Sequence, residues 1–149
     1  MNSIERFKIA QADCYKRVLQ EMQVGKKSSH WMWYIFPQII GLGRSKTSKN
    51  YAIVDFEEAR AFLNDELLSQ RYIELTDILA NANKGKTACE IFDRDQFKFK
   101  SSLTLFARTI DRYPDLNKDG RFQSIFRCLE KYFNNKLDES TLKILSSSD

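Results

Sequence analysis

Apolar residues recur every three or four positions through most of this chain, and this spacing constrains the fold more than any other feature. The first segment carries apolar side chains at Phe7, Ala10, Cys14, Val18 and Met22. Residues at that spacing lie on one face of an α-helix, whereas a strand would need strict alternation. No segment of the sequence alternates convincingly in that way. The sequence therefore predicts an all-α fold, a bundle of about six to eight helices without a sheet.

Capping and stop residues predict where these helices begin and end. The first helix is expected over residues 4–24, with Gly25 as a left-handed stop. Ser29 is expected to cap a short helix that starts at His30 and ends before Pro37. The later helices should begin after side chains that accept hydrogen bonds from free backbone N–H groups, namely Asp55, Asn64 or Asp65, Thr87, Asp93 or Asp95, and Asp138.

Three of the later segments carry clear apolar stripes. The helix capped at residue 64 or 65 should end within residues 81–85, and two further helices are expected over residues 96–112 and 120–133. Glu57 and Glu58 fall in the first turn of a predicted helix, where acidic side chains complement the helix dipole. We therefore interpret these two residues as helix-start charges and not as a catalytic pair.

Length and residue usage narrow the class of protein. A chain of 149 residues is expected to form one all-α domain over residues 1–149. The three cysteines, Cys14, Cys89 and Cys128, are far apart and the chain has one histidine, so we predict no disulfide framework, no metal site and no cofactor.

No apolar run approaches the length of a membrane span, and the first residues lack a signal-peptide segment. We therefore expect a soluble, cytoplasmic protein without a membrane partner.

One loop resembles the first half of a calcium-binding loop. Asp115, Asn117 and Asp119 alternate ahead of a glycine, as the oxygen ligands and the turn of such a loop do. The bidentate glutamate that should complete the loop is replaced by Phe126. We therefore predict a polar loop that leads into the next helix, and no calcium site.

Basic residues are concentrated in two acid-free segments, which contain no aspartate or glutamate. Residues 22–54 and 96–110 together hold eight basic residues, namely Lys26, Lys27, Arg44, Lys46, Lys49, Lys98, Lys100 and Arg108. The whole chain has a net charge of +4, so the remainder of the chain carries −4 and the positive charge is local. Local positive potential attracts anions, and the segments offer these cations no carboxylate partner of their own.

The central segment, residues 29–43, holds the only histidine and both tryptophans, and its glycines would let the backbone approach a ligand. In the second acid-free segment, Lys98 lies about one helical turn from two hydroxyl groups, an arrangement that can hold a phosphate or carboxylate. If the two segments meet, they form a cationic pocket with an aromatic wall. The predicted site consists of His30 as a candidate acid or base and, as ligand-binding residues, Trp33, Gln38, Arg44, Ser45, Lys98, Ser101 and Ser102.

Four short stretches carry a specific signature: SHWMWYIFPQ from residue 29, GLGRS from residue 41, YAI from residue 51 and KFKSSLTLF from residue 98. They resemble the bacterial domain of unknown function 1810 family, whose members are sometimes labelled calpastatin-like. The resemblance extends over residues 7–145. It departs at Leu103, where relatives often have methionine, and at residues 64–65, where they often have a proline-containing break. The resemblance implies a compact all-α fold and no established activity, and we give the inhibitor label no weight.

The sequence leaves three functions open. The first is binding of an anionic small molecule with a phosphate group and a flat part, such as a nucleotide. The second is an enzyme in which His30 acts as acid or base on the same ligand, which a carboxylate or hydroxyl partner for the histidine would favour. The third is a protein-interaction module, which an exposed apolar patch around the tryptophans would favour. The basic excess is too small to predict a nucleic-acid partner.

Overall fold

The computed structural model describes residues 4–82 and 85–147, and these residues form helices and turns apart from one isolated parallel bridge between Ile39 and Ile53. Ten α-helices lie in the described ranges: α1 (Glu5–Ala12), α2 (Tyr15–Val24), α3 (Met32–Ile35), α4 (Lys46–Tyr51), α5 (Phe56–Asn64), α6 (Glu66–Asn81), α7 (Ala88–Phe92), α8 (Gln96–Arg112), α9 (Gln123–Phe133) and α10 (Glu139–Ser146). Among them, no helix is both long and apolar enough to cross a membrane. The predicted all-α class is therefore confirmed.

The helices outnumber the six to eight expected because the first predicted helix forms two and because α4 was not predicted. α4 has six residues, too few for apolar periodicity to reveal it, whereas the equally short α3 and α7 were predicted from capping and stop residues. α6 ends at Asn81, within the predicted residues 81–85, of which residues 83 and 84 lie outside the described residues. α9 begins at Gln123, three residues later than expected, because the chain ahead of it forms a turn.

The segment expected to form one helix over residues 4–24 forms two. α1 and α2 are separated by residues 13 and 14. Just before this break, the buried side chain of Gln11 donates a hydrogen bond to the carbonyl of Tyr34 at 2.7 Å. The apolar spacing continues across the break, so periodicity could not detect it. Gly25 ends α2 in the left-handed conformation, with a φ of 84°, as the sequence predicts.

Most of the predicted caps are present. Side-chain oxygens accept hydrogen bonds from the N–H group three residues further on at Asp55, Asp65, Thr87 and Asp138. Thr87 and Glu90 form a complete capping box, with hydrogen bonds of 3.1 and 2.9 Å. Asp95 occupies the N-cap position of α8 without capping it, because its carboxylate pairs with Lys27.

Ser29 does not cap a helix, and this corrects the prediction from sequence. α3 begins at Met32, and Ser29 Oγ donates a hydrogen bond to the carboxylate of Glu21 at 2.5 Å. The backbone N–H of Ser29 donates to the same carboxylate at 3.1 Å. A charged acceptor makes stronger hydrogen bonds than a neutral one, so the chain before α3 is drawn toward Glu21.

The acidic pair at the start of α5 is structural, in agreement with the prediction. Glu58 is buried, and its carboxylate accepts two hydrogen bonds from the guanidinium of Arg6, at 2.9 and 3.0 Å. Glu57 is exposed and accepts a hydrogen bond from the hydroxyl of Tyr113 at 2.8 Å. A bidentate pair of this kind fixes α1 to the start of α5.

The core lies where α9 packs against both α6 and α8. Phe36 brings the central segment into this core, because its ring centre lies 4.9 Å from that of Phe99 and 5.4 Å from that of Tyr72. Trp31 and Met32 are buried as well. The central segment is therefore anchored from the inside, and this anchor fixes the positions of its surface residues.

Candidate functional site

The two tryptophans of the central segment have different environments. Trp31 is fully buried, and its indole Nε1 donates a hydrogen bond to Glu21 at 2.9 Å. Trp33 is half-buried, and its ring forms part of a surface cleft. Residues two apart on a helix point in different directions, so burial of Trp31 leaves Trp33 facing outward. Of the two, Trp33 is positioned to contact a ligand.

The Trp33 cleft lies where α3 packs against α4 and the glycine-containing loop between them, and its wall includes Trp33, Gln38, Gly43, Ser48, Lys49 and Tyr51. It measures about 320 Å³ with its open mouth included, and its enclosed part has room for about one water molecule. Only about 20 Å³ is accessible to a water-sized molecule, far less than in ordinary ligand pockets, so a ligand would bind mainly at the open mouth. None of the described residues that line it is acidic, so Lys49 gives the cleft a positive charge.

Two positions of the loop between α3 and α4 require glycine. Gly41 has a φ of 103°, a conformation that other residues rarely adopt. A Cβ atom on Gly43 would lie 2.4 Å from the Cβ of Ser48, so only glycine lets the loop approach α4 this closely. Ser45 then caps α4 by accepting a hydrogen bond from the N–H of Ser48 at 3.1 Å. Ser45 therefore helps to build the wall of the Trp33 cleft.

Lys98 brings the second acid-free segment next to the ring of Trp33. Its ammonium lies 5.5 Å from the centre of the Trp33 ring and 3.3 Å from the carboxylate of Asp95. Asp95 also forms an ion pair of 2.8 Å with Lys27, whose side chain is largely buried. Burial would raise the pKa of Asp95, but the two lysines outweigh that effect and lower the pKa. Asp95 thus links both acid-free segments and supplies the carboxylate that neither contains.

Ser101 and Ser102 are buried away from the Trp33 cleft. Ser101 Oγ donates to the carbonyl of Phe97 at 2.9 Å and lies 3.1 Å from the carboxylate of Asp138. Ser102 Oγ shares a hydrogen bond of 2.8 Å with the hydroxyl of Tyr72. Both hydroxyls are thus used in connecting α8 to other helices.

Arg44 and His30 are both exposed, but they occupy different surfaces. Arg44 follows Gly43 of the cleft wall and forms no hydrogen bond or ion pair with any residue in the described ranges. His30 lines a separate cleft of about 290 Å³, together with Lys27 and Asp93 among others. The structure therefore brings together Trp33 and the predicted residues Gln38 and Lys98, next to Arg44 and Ser45, and it places His30 elsewhere.

Among the cleft-wall residues that were missing from the predicted site, three are Ser48, Lys49 and Tyr51. All belong to α4, which the sequence did not reveal as a helix. α4 lies beside Trp33 because residue 53 returns to pair with the chain after α3, its N–H donating to the carbonyl of Gln38 at 2.8 Å. The signals in the sequence were the basic residue at position 49 within the first acid-free segment and the signature stretch that begins at Tyr51.

The loop that resembles a calcium site uses its oxygens to organise the start of α9. Asn117 Oδ1 accepts a hydrogen bond from the N–H of Phe122 at 2.7 Å, and Asp119 accepts one from the N–H of Arg121 at 3.1 Å. Within residues 4–82 and 85–147, no three His, Cys, Asp or Glu side chains are grouped as metal ligands. The thiols of Cys14, Cys89 and Cys128 are free.

Fold and site together define an all-helical protein with a small, carboxylate-free cleft beside its central aromatic segment. The chain belongs to the family described as protein of unknown function (DUF1810), which matches residues 1–145, so the resemblance seen in the sequence is confirmed. The solved structure of the conserved hypothetical protein Rv1873 from Mycobacterium tuberculosis is 38% identical, covers 96% of both chains and gives a TM-score of 0.86. No curated protein matches the chain.

Proposed function

We propose that the protein binds a small, phosphate-bearing molecule in the Trp33 cleft. The observation that carries the proposal is the combination of Trp33, Gln38 and Lys49 in one cleft with no acidic residue in its described wall. An ammonium group makes charge-assisted hydrogen bonds to phosphate oxygens, and an amide can donate to them as well. The aromatic rings of Trp33 and Tyr51 offer a flat surface for the rest of the ligand.

The size of the cleft limits the ligand. Only about 20 Å³ of the cleft is accessible to a water-sized molecule, and the wider space of about 320 Å³ includes its open mouth. A phosphate group would bind at the open mouth of the cleft beside Lys49, while a sugar or base would lie against Trp33. Lys98, with its ammonium 5.5 Å from the centre of the Trp33 ring, lies outside the lining of the cleft and is paired with Asp95. We therefore favour a mononucleotide or sugar phosphate over a dinucleotide.

The two alternative functions receive less support from the geometry. His30 does not line the Trp33 cleft, so an acid or base role on the same ligand would need a ligand that reaches both clefts. Trp31 is buried and Trp33 is half-buried in a concave surface, which is not the exposed apolar patch of an interaction module. Binding would take place in a reducing compartment such as the cytoplasm, which suits the three free thiols.

Tryptophan fluorescence and thermal shift can test this proposal with inorganic phosphate, glucose 6-phosphate and AMP as probes. We expect at least one probe to raise the melting temperature and change the emission of Trp33. Lys49→Gln and Arg44→Ala should each weaken that probe roughly tenfold or more, the usual value of a charge-assisted hydrogen bond. Lys118→Gln, an exposed lysine outside the cleft wall, is the matched control.

The proposal fails if no probe alters either signal, or if all variants bind the same probe equally. A probe that binds normally to Trp33→Phe and Lys49→Gln but not to His30→Gln would instead favour the His30 cleft. Arg44→Ala and Lys49→Gln should retain the melting temperature of the wild type, because both side chains are exposed. Loss of binding in these variants could then not be attributed to unfolding.

A further inference from the structure

The His30 cleft is a second candidate binding site, and its lining shares no residue with that of the Trp33 cleft. It lies between residues 27–30, which lead from α2 to α3, and residues 92–95, where α7 gives way to α8. About 290 Å³ of it is accessible to a water-sized molecule, compared with about 20 Å³ in the Trp33 cleft. The His30 cleft can therefore enclose more of a small ligand than the Trp33 cleft can.

Two contacts of Lys27 hold the sides of the His30 cleft together. The backbone N–H of Lys27 donates a hydrogen bond to the carbonyl of Ile91 at 2.8 Å. Its ammonium pairs with the carboxylate of Asp95 at 2.8 Å, and the Lys27 side chain is only 7% exposed. Lys27 and Asp95 therefore build the cleft and neutralise each other, and a ligand must be recognised by other groups.

Three exposed side chains of the His30 cleft are available to a ligand. His30, Asp93 and Arg94 form no hydrogen bond or ion pair with any residue within 4–82 or 85–147. Asp93 and Arg94 are neighbours of opposite charge, yet they do not pair with each other. A ligand can thus engage these side chains without breaking an existing contact.

Asp93 has a backbone conformation that is unfavourable for an aspartate. Its φ is 51° and its ψ is −130°, whereas residues other than glycine with positive φ mostly have a ψ of about +30 to +60°. The sequence allows Asp93 as a cap of α8, but its carboxylate accepts no hydrogen bond from that helix. Strained residues are concentrated at active sites and ligand-binding sites. Contact with a ligand would explain why this position carries a carboxylate and not a glycine.

The charges of the His30 cleft indicate the class of ligand. Lys27 and Arg94 are balanced by Asp93 and Asp95, so the described lining has no net charge when His30 is neutral. A ligand of one charge would meet a like charge for every opposite one. A zwitterion can instead pair with both of the free charged groups. Consecutive Cα atoms are about 3.8 Å apart, so neighbouring side chains can reach an ammonium and a carboxylate on one small molecule.

We propose that the His30 cleft binds a free α-amino acid with a polar side chain. The ligand carboxylate would pair with the guanidinium of Arg94 through two parallel hydrogen bonds, and its ammonium would donate to Asp93. The neutral ring of His30 has one donor and one acceptor nitrogen, which with the hydroxyl of Ser28 would bind the ligand side chain. Among the described lining residues only Phe92 is apolar, and it is 3% exposed, so an apolar side chain would find little contact. The inference goes beyond the proposed function, because it concerns a separate surface and a separate class of ligand.

Isothermal titration calorimetry with the common L-amino acids, one at a time, tests the inference. We expect at least one with a polar side chain to show saturable binding of one molecule per chain. Asp93→Asn and Arg94→Gln should each weaken that binding about tenfold or more, since each removes one charged partner. Asp77→Asn and Arg17→Gln make the same changes at exposed positions outside the described lining, and these variants should bind as the wild type does.

Asp93→Gly separates ligand binding from stability. Glycine adopts a positive φ without strain, so this variant should melt a few degrees above the wild type, although glycine also gives the unfolded chain more freedom. It should nevertheless lose affinity for the amino acid about tenfold or more, because the carboxylate is gone. A variant that failed to fold would instead lose stability and affinity together.

Analogues of the bound amino acid test the recognition of a zwitterion. The amine that lacks the α-carboxylate and the acid that lacks the α-ammonium should each bind at least about tenfold more weakly. The inference is overturned if no amino acid shows saturable binding, or if Asp93→Asn and Arg94→Gln bind it as their controls do. It is also overturned if Asp93→Gly lowers the melting temperature, because the carboxylate would then stabilise the fold.

Discussion

At the scale of single residues, the main organiser of the central segment is a buried carboxylate. Glu21 accepts hydrogen bonds from the N–H groups of Ser28 and Ser29, at 2.8 and 3.1 Å, and from the indole of Trp31 at 2.9 Å. Burial would raise the pKa of Glu21, but these hydrogen bonds together outweigh burial and lower it. The carboxylate thereby fixes the chain between α2 and α3, on which the position of Trp33 depends.

We predict that Glu21→Gln lowers the free energy of unfolding at neutral pH by roughly 1–3 kcal/mol, because an amide cannot satisfy all of these buried donors. The folded-state pKa lies below the ordinary value of 4.5, so the contribution of Glu21 is complete above that pH and is lost as the pH falls through the folded-state pKa. Urea denaturation at several pH values should show a difference between wild type and variant that shrinks in acid. Glu130→Gln, at an exposed site on α9, is the control. A difference that stays constant in acid would contradict the prediction.

The charge pattern shows what sequence reasoning could and could not predict about the site. The two acid-free segments do meet, as the contact between Lys98 and Trp33 demonstrates. The sequence did not predict that basic residues of these segments would form ion pairs with carboxylates just outside the segments. Asp95 stands one position before the second acid-free segment and pairs with Lys27 and Lys98, and Asp111 stands one position after that segment and pairs with Arg108. Counting charges within a segment cannot detect ion-pair partners that lie just beyond its ends in the sequence.

At the scale of helices, sequence predicted the long elements and most of their caps, but among the short helices it missed α4. α6 and α8 have 16 and 17 residues, so apolar residues recur often enough in each to be recognised as one face of a helix. α4 has six residues, none of them buried, and therefore has no apolar stripe. Its position depends on the bridge between Ile39 and Ile53, a contact between distant residues. The wall of the Trp33 cleft that α4 provides was for this reason absent from the predicted site.

The hydroxyls of Ser101 and Ser102, which the sequence assigned to a ligand, give a prediction about helix attachment. Ser101→Ala removes a hydrogen bond to Asp138, the residue that caps α10. We expect faster hydrogen exchange of the backbone amides in α10 and a loss of about 1–2 kcal/mol in local stability.

Ser102→Ala is the matched comparison, because it breaks a buried contact with Tyr72 between α8 and α6. That variant should lower the melting temperature of the whole protein. Neither substitution should change the affinity of a phosphate probe for the Trp33 cleft. The prediction is contradicted if hydrogen exchange in α10 is unchanged in the Ser101 variant. It is also contradicted if either variant loses affinity for phosphate, because the hydroxyls would then contribute to ligand binding.

At the scale of the whole molecule, one aromatic cluster joins the central segment to the main helices. The ring of Phe36 lies 4.9 Å from Phe99 of α8, 5.4 Å from Tyr72 of α6 and 6.0 Å from Phe92 of α7, each near an edge-to-face geometry. Its own segment carries Trp33 three residues earlier. Phe36, which is part of the core, and Trp33, which faces the cleft, therefore lie in the same short segment. The position of Trp33 consequently depends on the stability of the whole protein.

We predict that Phe36→Ala destabilises the entire protein and not the central segment alone. Deleting a fully buried phenylalanine costs about 3–5 kcal/mol, a large part of the roughly 5–15 kcal/mol by which a typical domain is stable. Urea denaturation followed by far-ultraviolet circular dichroism and by tryptophan fluorescence should therefore give one coincident transition, at a much lower urea concentration than in the wild type. Phe97→Ala, at a position 65% exposed on α8, should change the midpoint little. If fluorescence reported loss of the central segment while the helical signal persisted, the segment would be an independent unit and the Trp33 cleft could be lost without unfolding the bundle.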